Sequence, residues 1–280
     1  MRTVALVALL AAPAFAGDSA PSPAAADLGA RLELIASKSL HAQFDTPKFA
    51  FTGNLSLEAP KSLDEATMGF PDIAKVDATK TLAVAIDPET AVISTQVGEY
   101  SSCGKDGCKT PDSWLRATAV FEKGAAGWQP LAWSITPSIP SSSQEEAIDD
   151  KINPDKLARE LGGADDAVKV FEATIGDPKA FAGTISSRPE VVLLGSEMPE
   201  RYVGAKAKTQ LGAWNFAFSV RDGVRAGLSK SGNVAWIAAN VDAKPAKQKN
   251  ARALPFRVFA VYEKIATTWK LVQLQFSTAV

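Results

Sequence analysis

One histidine in 280 residues removes several kinds of chemistry at once. Metal centres built on paired imidazoles have no ligands to draw on, and a Ser–His–Asp arrangement has only His41 to serve it. His41 falls in a stretch of helical spacing and has no counterpart in the second half of the chain. It reads as a helix-surface residue rather than a general base. Cysteine is nearly as scarce: Cys103 and Cys108 are the only two, and their spacing is not that of a C-x-x-C redox motif. Net charge is also missing, since 30 Lys and Arg against 31 Asp and Glu leave −1. A nucleic-acid binder would carry a basic excess, so no nucleic acid is expected as a partner. Past Ala16 no apolar run approaches the ~18–20 residues of a spanning helix, and no glycine-rich phosphate cradle occurs. No cofactor, metal or membrane span is expected.

What is present starts at the N-terminus. Arg2 supplies positive charge, Val4 to Ala12 is unbroken apolar sequence, and Pro13-Ala14-Phe15-Ala16 precedes Gly17. That order predicts a secretory signal cut after Ala16 and a secreted or periplasmic protein, with a buried N-terminal helix as the alternative. No cysteine stands near the cut, which argues against a lipid anchor. Residues 17–26 are small and Pro-rich, a composition that predicts disorder. In an oxidising compartment the pair Cys103 and Cys108 predicts a disulfide across a loop, because a metal would need further ligands. The chain as a whole is 46% hydrophobic and 22% charged, enough apolar sequence for substantial cores.

The most informative feature is an internal repeat. Leu115 to Thr136 (LRATAVFEKGAAGWQPLAWSIT) lies without a gap on Phe256 to Ser277 (FRVFAVYEKIATTWKLVQLQFS). Arg116 falls on Arg257, Glu122-Lys123 on Glu263-Lys264, and Trp128 on Trp269. Upstream, Leu82 to Thr95 lies over Val224 to Ile237, offset by one further residue. Hairpins repeated in the same order predict two copies of one domain. Alternation puts Phe256, Val258, Ala260 and Tyr262 on one strand face and Arg257, Phe259, Val261 and Glu263 on the other. Both faces are mostly apolar, so the strand is expected to be covered on both sides.

Helical stretches precede each set of strands. Asp27 to Gln43 places Leu28, Leu32, Ile35, Ser39 and Leu40 at helical spacing. In the second copy Asp165 and Asp166 precede a run with Val168, Phe171 and Ile175 inward, ending at Gly176-Asp177-Pro178. Between the copies, Pro137 to Asp150 is Pro/Ser-rich and then acidic, as a linker would be. The expected organisation is a signal at 1–16, a disordered segment at 17–26, domains at 27–138 and 160–280, and a linker at 139–159.

At Val191 the chain reads VVLLGSEMPERYVGAKAKTQLGAW, continues through the hairpin Gly232 to Ile237, and closes on TTWKLVQLQFS. This resembles the SnoaL-like family of the nuclear transport factor 2-like superfamily. The likeness rests on a strand ending in Gly195-Ser196, Glu200 and Gly204 before a helix, Ala235-Trp236, and Trp269 leading to Phe276-Ser277. It covers most of the second copy, and the first copy inherits it through the repeat. The resemblance implies an α+β fold of two cone-shaped domains, each a curved antiparallel sheet wrapped on helices with a cavity at its open end. Because such domains pair through the outer sheet face, it also implies an intramolecular pseudo-dimer and a monomeric chain. Catalytic relatives place Asp or His in the cavity, often a His two residues before the closing Ser. Here that position is Gln275, and Ser134 in the first copy, a departure that weakens any carry-over of catalysis.

Tyr202, Trp214 and Trp236 form the expected lining of a binding pocket for a small apolar or anionic ligand, with Arg257 and Gln275 as polar contacts. Ordinary core packing is the alternative for the aromatics. The recurring Arg116 and Arg257 are expected either to bind an anion or, more simply, to pair with Glu122 and Glu263. Lys244, Lys247, Lys249 and Arg252 make a basic hairpin loop. The expected function is that of an exported non-catalytic ligand- or partner-binding protein. Its rivals are a lyase- or isomerase-like enzyme using a carboxylate such as Glu200 or Asp222, and a purely structural pseudo-dimer.

Overall fold

The computed structural model describes residues 23–52, 55–57, 59–138, 156–245 and 252–278. The expected signal, its cleavage site, most of the linker, Lys247 and Lys249 lie outside the described residues. The first unit runs α1 (Pro23–Ala36), β1 (Phe49–Thr52), β2 (Leu55–Leu57), α2 (Leu63–Ala66), β3 (Ala74–Val76), β4 (Leu82–Asp87), β5 (Thr90–Glu99), β6 (Ser113–Gly124) and β7 (Gly127–Pro137). Its strands form one sheet in the order β2-β1-β7-β6-β5-β3, with β4 also on β5. The second unit runs α3 (Asp165–Thr174), α4 (Pro178–Gly183), β8 (Val192–Leu194), β9 (Arg201–Val203), α5 (Ala205–Ala213), β10 (Phe216–Leu228), β11 (Val234–Pro245), β12 (Leu254–Ile265) and β13 (Thr268–Thr278). Its sheet order is β10-β11-β12-β13-β8-β9. The fold is α+β, two sheets each covered on one face by helices.

The repeat reaches further in space than in sequence. β1 runs parallel to β7 and antiparallel to β2, and β8 stands in the same relation to β13 and β9. Phe49 opposite Ala132 therefore corresponds to Val192 opposite Gln273. One correspondence changes. Gln96 sits opposite Arg116 as Asn240 sits opposite Arg257, so Thr95 matches Ala239 rather than Ile237. The shift is by an even number of residues, so every side chain keeps its expected face.

α1 begins at Pro23, inside the stretch expected to be disordered, and buries Leu28, Leu32, Ile35 and Ala36. It stops short of the expected end. Lys38 and Leu40 take φ of 56° and 57°, which breaks the helix, and a short 3₁₀ turn follows at His41–Gln43. Leu40, expected inward, is 55% exposed as a result. α3 buries Val168, Phe171 and Ile175 as expected. Pro178 does not simply end that run. It opens α4 at the first helical position, with Asp177 capping the Lys179 and Ala180 amides. The last linker residues belong to the second unit: Gly223 N donates to Leu157 O at 3.0 Å, and Glu160 exchanges backbone bonds with Val224 and Ala226. A Cβ at Gly223 would stand 2.1 Å from that Leu157 oxygen, so only glycine admits the approach.

Three apolar clusters follow. α1 and α2 cover one face of the first sheet, burying Ile93, Ala117, Phe121 and Trp133. α3, α4 and α5 cover one face of the second, burying Ile237, Ala260, Tyr262 and Phe276. The third cluster lies between the sheets. Phe49, Phe51, Val92, Val120 and Leu131 of the first unit meet Leu157, Trp236, Phe259, Val261 and Val272 of the second. Both faces of β12 are thus covered, one by helices and one by the other sheet.

Candidate functional site

The residues expected to line a single pocket fall on two faces of the second sheet. Tyr202 on β9 lies in the helix-covered core, and burial pushes its phenol pKa up. Trp214 ends α5 half-buried against the same core, with its ring 5.8 Å from Phe218 and 5.1 Å from Phe276. Its Nε1 is buried and makes no hydrogen bond to the protein. The other three point the opposite way. Trp236 stacks on Phe49 at 5.0 Å and lies over Gly227, whose Cβ would come within 2.7 Å of the indole. Arg257 sits 5.3 Å from the Phe51 ring centroid, a cation–π contact. Gln275 Nε2 donates to Thr136 Oγ1 at 2.9 Å and to Arg116 O at 3.3 Å. The structure therefore brings Tyr202 and Trp214 to one core, and Trp236, Arg257 and Gln275 to the contact between sheets.

Arg116 finds its partners in backbone carbonyls of the second unit and not in a recurring glutamate. Arg116, 1% exposed, crosses to the β8–β9 turn of the second unit. Its Nη1 donates to the carbonyls of Gly195 and, at 3.1 Å, Glu200; its Nη2 donates to those of Glu197 and, at 2.6 Å, Met198. Burial lowers its pKa to about 10, opposed by the nearby Glu200 carboxylate. Even so lowered, the guanidinium is charged at neutral pH. It ties one unit's sheet to the other unit's turn. Glu122 also crosses, accepting from Lys230 N at 2.5 Å, whereas Glu263 accepts from Arg188 Nε at 2.7 Å within its own unit. Asp87 accepts from Ser231 Oγ at 2.6 Å, so the β4–β5 turn meets the β10–β11 turn.

The groups offered for acid–base work are engaged elsewhere. Glu200 is buried on its own turn, where its Oε2 accepts from Glu197 N at 3.0 Å. Gly195 makes that possible, since a Cβ there would lie 2.1 Å from the Glu200 carboxylate. Burial raises the Glu200 pKa, the largest of its influences. Asp222 accepts from Asn240 Nδ2 at 3.1 Å. His41 bonds Asp64 through Nδ1 at 2.8 Å and Ile35 O through Nε2 at 3.0 Å, joining the end of α1 to α2. A cleft of about 550 Å³ opens in the first unit between Pro71–Ile73 and Glu99–Ser101, and it shares no residue with the expected pocket. Cys103 and Cys108 are disulfide-bonded in the loop between β5 and β6.

Residues 173–280 match the SnoaL-like domain family. Solved structures with similar architecture include a nuclear transport factor 2-like protein of unknown function from Pseudomonas putida, at 10% identity over 42% of this chain and 89% of that one, TM-score 0.33. A candidate ketosteroid isomerase from Parabacteroides distasonis shares 16% identity over 40% and 84%, TM-score 0.32. A candidate calcium/calmodulin-dependent protein kinase II association domain from Xanthomonas campestris shares 18% over 44% and 94%, TM-score 0.35. No curated protein matches the chain.

Proposed function

We propose that the chain is an exported, non-catalytic binding protein made of two SnoaL-like units held as an intramolecular pseudo-dimer. One observation carries the non-catalytic part. Glu200, Asp222, His41 and Gln275 each hold a structural partner in a different place, and no two of them meet. General acid–base catalysis needs groups within hydrogen-bond reach of one reacting centre. The packing of Phe49, Trp236 and Phe259 between the sheets supports the pseudo-dimer. A ligand site, on this reading, lies on the helix-covered side of the second unit at Trp214. That ring is partly exposed, and its buried N–H is free to take an acceptor. The ligand class is a small apolar molecule carrying a hydrogen-bond acceptor.

Thermal shift and tryptophan fluorescence of the mature chain, against a panel of apolar and anionic small molecules, test this. The expected result is a compound whose shift is abolished by Trp214→Ala and kept by Trp236→Ala. No shift with any compound would favour the purely structural reading. Turnover of any compound that Glu200→Gln abolishes would overturn the non-catalytic reading in favour of a carboxylate base.

A further inference from the structure

The contact between the sheets is not apolar throughout. Ser94, Thr118 and Ser134 lie side by side across β5, β6 and β7, since Ser94 pairs with Thr118 and Thr118 with Ser134. Their neighbours Ile93, Ala117, Ala119, Trp133 and Ile135 face the helix-covered core, so these hydroxyls face the second sheet. From the other side come Gln273 and Gln275. Gln273 stands opposite Val261, itself part of the inter-sheet cluster, beside the irregularity in β13 at Val272. Ser94, Thr118, Gln273 and Gln275 are each 1% exposed or less. Yet Ser94 Oγ, Thr118 Oγ1, Gln275 Oε1 and both amide atoms of Gln273 make no hydrogen bond to the protein. The groups come from both sheets, and they include donors and acceptors.

A buried polar atom without a partner is costly, and buried groups of this kind are satisfied by protein or by ordered water. Protein supplies no partner here. We infer that ordered water occupies the middle of the sheet–sheet contact, bridging the Ser94–Thr118 hydroxyls of the first unit and the Gln273–Gln275 amides of the second. Several polar groups of both kinds converge there, which is the partner set such water needs. Phe49, Trp236 and Phe259 wall it on one side, and Val92 and Val120 lie next to Ser94 and Thr118 along their strands. The inference goes beyond the proposed function. It depends on the packing of the sheets and not on whether the protein binds a ligand.

The test uses the mature chain with isosteric changes that remove hydrogen bonding and keep volume, Thr118→Val and Gln273→Met. With bridging water in place, each change orphans a water and lowers Tm by about 2–4 °C. If the strip is dry, each removes an uncompensated polar group and raises Tm, which would overturn the inference. A crystal structure of the wild-type chain at a resolution that shows water decides independently should Gln273→Met fail to fold. Water density within hydrogen-bond distance of both Thr118 Oγ1 and the Gln273 amide is expected. An empty strip, or density too large for water, would contradict it.

Discussion

Gln275 Nε2 donates to Thr136 Oγ1 at 2.9 Å, across the gap between the two sheets. The position where relatives often carry a histidine thus faces a second sheet in this chain and not a helix-lined cavity. What the family resemblance suggests as a site of chemistry is here part of the contact between units, alongside Trp236 and Arg257.

That contact is expected to be a major source of stability. Phe49→Ala and Trp236→Ala should each cost about 3–5 kcal/mol, as buried aromatics replaced by alanine do. Because the two rings stack at 5.0 Å, the double variant should lose less than the sum, by about 0.5–1.5 kcal/mol. Urea unfolding of the four proteins measures this. Strict additivity would mean that the rings do not meet.

How much of this could be read from the sequence depended on strand length and on facing surfaces. β6, β7, β12 and β13 are long hairpin strands whose side chains repeat without a gap, so Arg116 on Arg257 and Trp128 on Trp269 were legible. β1 and β8 are short, joined in parallel to distant strands, and carry Phe49 where the counterpart is Val192. Nothing local announces such a pairing. The expected pocket failed to assemble for a related reason. β11 and β12 are apolar on both faces, so alternation separates Trp236 from Ile237 but does not say which face the helices cover and which the other sheet covers. Arg116 was singled out for its recurrence. Its partners are backbone carbonyls of a turn, and these leave no mark in a sequence.

Glu200 should give the fold a pH dependence of unusual sign. Its folded pKa is raised by burial, so the folded state holds the proton more tightly than the unfolded chain does. Stability from this group is therefore greatest below the unfolded glutamate value and falls as pH rises through the interval up to the folded pKa. Glu200→Gln keeps an acceptor for Glu197 N and removes the titration. The variant should lose that decline and match or exceed wild type in Tm at neutral pH. A variant with an unchanged pH profile would show that Glu200 is not the group responsible.

Ala266, exposed in the β12–β13 turn, sits at φ 55°. A side chain in that region is strained by about 1 kcal/mol or more, and glycine is not. Ala266→Gly should thus leave stability unchanged or raise it by up to about 1 kcal/mol, against the usual cost of adding glycine. Chemical denaturation decides it, and a loss near 1 kcal/mol would argue that the turn is not left-handed at this residue.

The pairing of the two sheets within one chain is most directly tested by the mass of the protein in solution. Light scattering over a wide concentration range should return the mass of a single chain, because Phe49 of the first sheet and Trp236, Phe259 and Val261 of the second already cover one another within the chain. A stable dimer that Trp236→Ala or Phe259→Ala takes apart into single chains would contradict the account, since those faces would then be pairing between molecules.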